Sequence, residues 1–146
     1  MQDIGLEIKN LNNVINRNFK NLNTVKLLDE ITGSNGYILG FLLKNKDKLI
    51  TQKSIEKTLG ITRSTASTVL TRMEKKELIR RETLESDSRV KRILVTEKGR
   101  DLSSKIDEEV KAFNACMMKD FTKEEIASFI EFIRRIKKNI GGQEND

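Results

Sequence analysis

Histidine is absent from this 146-residue chain, and so is proline. The lack of histidine removes the commonest general base and the commonest metal ligand. The lack of proline removes the strongest helix breaker, so long uninterrupted helices are expected. Cysteine occurs once, at Cys116, which excludes an internal disulfide and fits a reducing compartment. Apolar runs stay well short of the roughly 18 residues that a membrane span needs. The opening stretch MQDIGLEIKN has neither the basic region nor the apolar core of a signal peptide. A soluble, cytoplasmic protein is expected.

What is present is basic charge, unevenly placed. The formal net charge is +6, from 28 Lys and Arg against 22 Asp and Glu. Between Ile61 and Arg100 the basic residues outnumber the acidic ones by eleven to six, so this window carries nearly all of the excess. Such a balance suits an acidic partner such as nucleic acid. The length favours one domain with a real core.

Apolar spacing predicts the elements. Ile4, Ile8, Leu11, Ile15, Phe19 and Leu22 recur at steps of three and four, one stripe on a helix spanning the first thirty residues. Thr32 is expected to cap a second helix from about Gly33 to Asn45, and Leu49-Ile50 reads as a short extended piece. In TQKSIEKTLG, Thr51 is a plausible N-cap and Gly60 a natural stop. In the following ITRSTASTVLTRMEKKELI, Thr62 caps a helix with Ala66, Val69, Leu70 and Met73 inward. Two helices joined by a short turn containing Gly have the spacing of a helix-turn-helix. Leu78 to Thr83 and Val90 to Thr96 then read as two strands around the polar turn LESDSR. A long helix follows from Thr96-Glu97, with Leu102, Ile106, Val110, Phe113 and Met117 inward. Thr122 and Glu125 form a capping box for a last helix with Ile126, Phe129, Ile130, Ile133, Ile136 and Ile140 inward.

A hairpin directly after a helix-turn-helix is a winged helix. The fold class expected is mainly α with a small β-hairpin wing: a winged helix-turn-helix flanked by N- and C-terminal dimerisation helices. The boundaries are 1–31 and 97–140 for the dimerisation helices, 33–96 for the winged helix-turn-helix, and 141–146 for a frayed tail. The end helices carry more apolar surface than a small winged helix can cover, so a homodimer is expected.

The chain resembles the MarR family of transcriptional regulators. The resemblance rests on ITQKSIEKTLGITRSTASTVLTRMEKKELIRR (Ile50 to Arg81), on Asp87-Ser88-Arg89, and on VTEKGRDL (Val95 to Leu102). It implies that Arg63, Ser64, Thr65, Ser67, Thr68 and Arg72 face the major groove, and that Gln52, Lys53 and Ser54 touch phosphates. It implies that Arg89 reaches into the minor groove while Asp87 shapes the wing tip, with Arg80, Arg81, Lys91 and Arg92 flanking it. An effector pocket lined by Phe19, Tyr37, Phe41 and Phe113 is implied by the family alone. Two positions depart from the family pattern: Glu77 stands where Gly is usual, and Ser88 replaces the first Arg of the wing pair.

For the charged hairpin a merely solvated loop is the plainer reading, and after a helix-turn-helix DNA contact outweighs it. Cys116 is expected to be a small buried or half-buried side chain rather than an oxidant sensor, and the stretch Arg134 to Asn139 a solvated helix face. No catalytic constellation is visible; no enzyme activity, metal or cofactor is expected. The function expected is sequence-specific binding of double-stranded DNA by a homodimeric repressor of its own or a neighbouring operon, acting on a pseudo-palindromic operator and released by a small-molecule effector. The alternative is a winged-helix protein-interaction module with weak, non-specific DNA binding.

Overall fold

The computed structural model describes residues 3–141. Contacts group the chain into two units, Met1–Val110 and Lys111–Asp146. The described residues form seven helices and one two-stranded antiparallel sheet.

In the first unit, α1 (Ile4–Lys20) is capped by Asp3, whose side chain accepts the Leu6 amide proton at 3.0 Å. The expected single N-terminal helix is in fact two. The chain leaves the helical conformation at Leu22 (φ −63°, ψ 132°) and resumes as α2 (Asn23–Thr32). Leucine offers no capping oxygen, and the cap comes from elsewhere: the Glu109 carboxylate accepts from the Thr24 amide at 3.0 Å and from its hydroxyl at 2.6 Å. An anion at a helix N-terminus satisfies free amides and opposes the macrodipole. α2 buries Val25, Leu28, Ile31 and Thr32 and packs on α5.

Thr32 is therefore not the N-cap of a following helix. It ends α2, buried, and its hydroxyl donates to the Leu28 carbonyl at 2.8 Å. Gly33 takes a left-handed conformation and stops the helix, so α3 starts at Tyr37 and ends at Lys44.

The helix-turn-helix follows its sequence closely. α4 (Gln52–Leu59) has a capping box between Thr51 and Ser54, and Gly60 ends it at φ 63°. α5 (Arg63–Lys75) is capped by Thr62, whose side chain accepts the Thr65 amide proton at 3.1 Å. Ala66, Val69, Leu70 and Met73 are all buried, at every third or fourth residue as a single buried face requires. Val69, Leu70 and Met73 join Ile38, Leu39, Leu42, Ile55, Ile79 and Ile93 in one contiguous core.

β1 (Ile79–Thr83) and β2 (Lys91–Val95) pair with Ile79 opposite Val95 and Thr83 opposite Lys91. The expected extended piece at Leu49-Ile50 docks beside β2, where the Ile50 carbonyl accepts from the Ile93 amide at 2.8 Å. α6 (Glu97–Met117) starts two residues after β2.

The junction between α5 and the wing is built on Glu77. Its φ is 62°, in the left-handed region. The Glu77 amide donates to the Glu74 carbonyl and the Leu78 amide to the Met73 carbonyl, both at 2.9 Å. This pair of bonds is a Schellman cap, for which glycine is the favoured residue. The Thr96 hydroxyl donates to the Glu77 carbonyl and accepts from the Gly99 amide at 3.1 Å. Gly99 is held so close that a Cβ there would lie 2.3 Å from the Leu78 carbonyl oxygen.

In the second unit the end of α6 passes through Asp120 (φ 67°) to α7 (Lys123–Asn139). Thr122 and Glu125 form the expected capping box, at 2.8 and 3.1 Å. No residue of α7 is buried, and Phe129, Ile130, Phe132, Ile133, Ile136 and Ile140 are exposed. Cys116 is exposed, which corrects the expectation of a buried or half-buried thiol. The expected frayed tail lies outside the described residues from Gly142 onward.

Two substitutions test the junction by urea unfolding. A left-handed non-glycine residue costs about 1–2 kcal/mol, against roughly 0.5–1 kcal/mol for the greater freedom of an unfolded glycine. Glu77→Gly is therefore expected to stabilise by up to about 1 kcal/mol. Gly99→Ala overfills a contact against backbone and is expected to destabilise by roughly 1–3 kcal/mol. A neutral Gly99→Ala contradicts the close approach.

Candidate nucleic-acid interface

Burying Ala66, Val69, Leu70 and Met73 turns the other faces of α5 outward. Arg63, Ser64, Ser67, Thr68 and Arg72 are exposed. Thr65 is half-buried, and its hydroxyl accepts from that of Thr62 at 3.0 Å, so it supports the cap. Arg72 sits near the far end of α5, where it lines a recess with Leu27, Glu30, Ile31, Lys75 and Lys76. Short hydroxyls and an Arg at the start of an exposed helix let the backbone come close to a nucleic-acid surface, with donors for phosphates and base edges.

The wing supplies a second surface. At its tip the Arg89 amide donates to Asp87 Oδ1 at 3.0 Å. The Arg89 guanidinium grips the same carboxylate, Nε to Oδ1 at 3.1 Å and Nη2 to Oδ2 at 3.3 Å. Arg89 remains largely exposed, and the carboxylate fixes its direction. These bonds hold the Asp87 carboxyl below its ordinary range, first through the Arg89 side chain and then through its backbone amide. A lowered carboxyl pKa means that the pair is intact above the ordinary carboxylate range and is lost as pH falls through the lowered value.

Between the wing and the start of α4 lies a groove of about 360 Å³ lined by Gln52, Lys53, Arg81, Arg89 and Lys91, together with Thr51, Val90 and Ile93. No carboxylate lines it. Arg81 is half-buried beside Glu74, at 3.7 Å, and its Nε and Nη2 atoms are buried without a hydrogen-bond partner. Buried donors of this kind call for an acceptor. The groove so combines cationic side chains with the amide-rich start of a helix.

The structure thus brings together Gln52, Lys53, Arg81, Arg89 and Lys91. It separates others. The Ser54 hydroxyl is occupied by the capping box of α4, bonded to the Thr51 amide at 3.2 Å, and so serves the helix. Arg80 lies on the opposite face of the hairpin from Arg81 and pairs with Glu82 at 3.1 Å. Sequence reading missed the buried donors of Arg81, whose signal is the i, i+2 alternation of Ile79, Arg81 and Thr83 on one strand face.

Two of the four aromatic residues expected to line one effector pocket share a groove. Phe19 and Tyr37 line a groove of about 310 Å³ with Val25, Leu28, Gly40 and Ile106. Phe41 packs against the core instead, and Phe113 belongs to the second unit.

The geometry defines a winged helix-turn-helix. Residues 30–90 match the model of the MarR family. It is 28% identical to the heme sensor protein PefR from Streptococcus agalactiae, solved in complex with heme, at a TM-score of 0.66 over 95% of each chain. It is 27% identical to the transcription regulator MarR from Oenococcus oeni, at a TM-score of 0.51 over 93% of this chain and 99% of that one. A mutant of MepR from S. aureus bound to an oligodeoxyribonucleotide shares the fold at a TM-score of 0.75 with 22% identity, over 96% of this chain and 99% of that one. Among the described residues no helix is long and apolar enough to cross a membrane.

NMR titration of the Asp87 carboxyl tests the wing tip. In the wild type it is expected to titrate below an ordinary aspartate, and in Arg89→Ala to move up toward the ordinary range, the amide of residue 89 still holding it slightly down. An unshifted wild-type Asp87 contradicts the clamp.

Proposed function

We propose that the chain is a cytoplasmic, homodimeric repressor that binds a pseudo-palindromic operator in double-stranded DNA upstream of its own or a neighbouring operon. The observation that carries this reading is the pairing of two surfaces in the first unit: the exposed hydroxyl and Arg face at the start of α5, and the cationic groove between α4 and the wing. Insertion of α5 into a major groove places Arg63, Ser64, Ser67 and Thr68 at base edges. The groove beside it takes the backbone phosphates on Lys53, Arg81 and Lys91. Arg89, held outward by Asp87, enters the neighbouring minor groove, where narrow A·T-rich tracts favour an inserted Arg.

Homodimerisation is supported by the exposed apolar faces. α1 exposes Ile4, Ile8, Leu11 and Val14, and α7 exposes Phe129, Ile130, Ile133 and Ile136. A soluble monomer rarely leaves faces of this kind open. A two-fold protein reads a two-fold site, with half-sites about 10 base pairs apart. An effector acts by changing the spacing of the two α5 helices, and the recess lined by Phe19 and Tyr37 is the place for it. The neighbour PefR was solved with heme. This chain has no histidine, so a heme here would have no imidazole ligand, and an organic effector without a metal fits it better.

Arg89→Ala is expected to weaken operator binding by roughly 1–3 kcal/mol, measured by fluorescence anisotropy. Unchanged affinity removes the wing from the interface. Changing both Ile133 and Ile136 to Asp is expected to give a monomer in sedimentation velocity. Retention of the dimer places the interface away from this face of α7.

A further inference from the structure

The outward face of the hairpin carries a feature that DNA binding does not use. A recess of about 300 Å³ lies where β2, the α3–α4 connection and the start of α6 meet. Leu42, Leu43, Ile50, Leu94 and Val95 give it an apolar lining, and Lys46, Lys48, Arg80 and Arg100 supply cations. No carboxylate is among its lining residues. Asp47 stands between the two lysines in sequence and does not line it. Arg80 pairs with exposed Glu82, while Lys46, Lys48 and Arg100 take part in none of the ion pairs among the described residues. Arg100 is steadied by donating through Nη1 to the Val95 carbonyl at 3.0 Å.

Four cations around an apolar floor repel one another when the recess is empty. They are brought into balance by a ligand that offers both negative charge and apolar surface. The volume is at the small end of ligand sites, so it suits a short molecule. We propose that this recess binds a small organic anion, a carboxylate carried on a short aliphatic body. The carboxylate lies among Lys46, Lys48 and Arg100, and the aliphatic body lies on Leu43 and Leu94.

The position gives such a ligand leverage. Arg80 and Leu94 are register partners that line the recess, Arg81 lines the groove proposed to hold phosphates, and its register partner Ile93 lines both. Ile50 and Ile93, which line the recess, are joined by the single hydrogen bond that docks the α3–α4 connection onto β2. Ile50 directly precedes Thr51, the cap of α4. A ligand here touches the hinge between the wing and α4 and shifts their spacing, and with it the groove proposed to hold phosphates. This coupling rests on the DNA-binding reading; occupation of the recess does not.

Octanoate and octanol are the probes. Each is titrated into the full ¹⁵N-labelled chain and followed by amide shifts. Octanoate is expected to give saturating shifts at Lys46, Lys48, Leu94 and Arg100, and octanol to bind at least about tenfold more weakly, since the charge contributes an assisted hydrogen bond. Changing both Lys46 and Lys48 to Ala, at exposed positions that leave the fold intact, is expected to lower octanoate affinity about tenfold. Equal affinity for the two probes, shifts confined to the groove of Phe19 and Tyr37, or unchanged affinity in the double variant overturns the proposal. In a second arm octanoate changes the rate at which operator DNA leaves the wild type and not the double variant. Failure of this arm alone, with the amide shifts as expected, counts against the coupling and leaves the site standing.

Discussion

The left-handed turn at Glu77 is the constraint on which the candidate DNA surface depends. The helix α5 must end and the chain must enter β1 within a few residues, or the wing would not lie beside the helix it accompanies. The two Schellman hydrogen bonds end the helix. Thr96, at the other end of the hairpin, then bonds the Glu77 carbonyl and caps α6 through Gly99. One hydroxyl thereby ties the end of α5, the base of the wing and the start of α6 together. The absence of a side chain at Gly99 lets the α6 N-terminus come within contact of Leu78. A glutamate at the turn is strained there, and its side chain meets Lys98 at 3.6 Å on the surface, an exposed pair of small worth.

Wherever a capping signal and an apolar period agreed, the sequence was legible. Thr51, Gly60 and Thr62 marked the helix-turn-helix, and Thr122 with Glu125 marked the last helix, because each rule acts over a few neighbouring residues. The break at Leu22 was not legible, because the carboxylate that caps α2 belongs to Glu109, 85 residues from the Thr24 it bonds. A local pattern contains no trace of that partner. Thr32 misled for a related reason. A hydroxyl at the right spacing for an N-cap bonded back to the carbonyl four residues earlier, the other option open to a helical Thr.

The candidate site was partly legible. The pattern found which residues lie on α5 and the wing, and it could not find their orientation on the hairpin. Arg80 and Arg81 are adjacent and both cationic, yet the strand sends them to opposite faces. The same alternation places Arg81 at the groove beside α4 and Arg80 at the recess near α6, while Ile93 lines both. Ser54 shows a second limit. A hydroxyl near a helix start reads as a phosphate contact, and here it also closes a capping box with Thr51, which the pattern did not single out. Helical spacing also does not tell a groove wall from core: Phe19 and Tyr37 line a groove, and Phe41 packs against the core.

The central claim is that the start of α5 and the wing together read DNA sequence. The most direct measurement is binding of the purified chain to the duplex upstream of its own gene, against a scrambled duplex of equal composition, at two salt concentrations. Tight binding to the upstream duplex alone, weakening steeply as salt rises, is the result expected of base readout on a phosphate-gripping frame. Equal and weak binding to both duplexes would contradict it and would turn the same cationic surface toward an acidic protein partner.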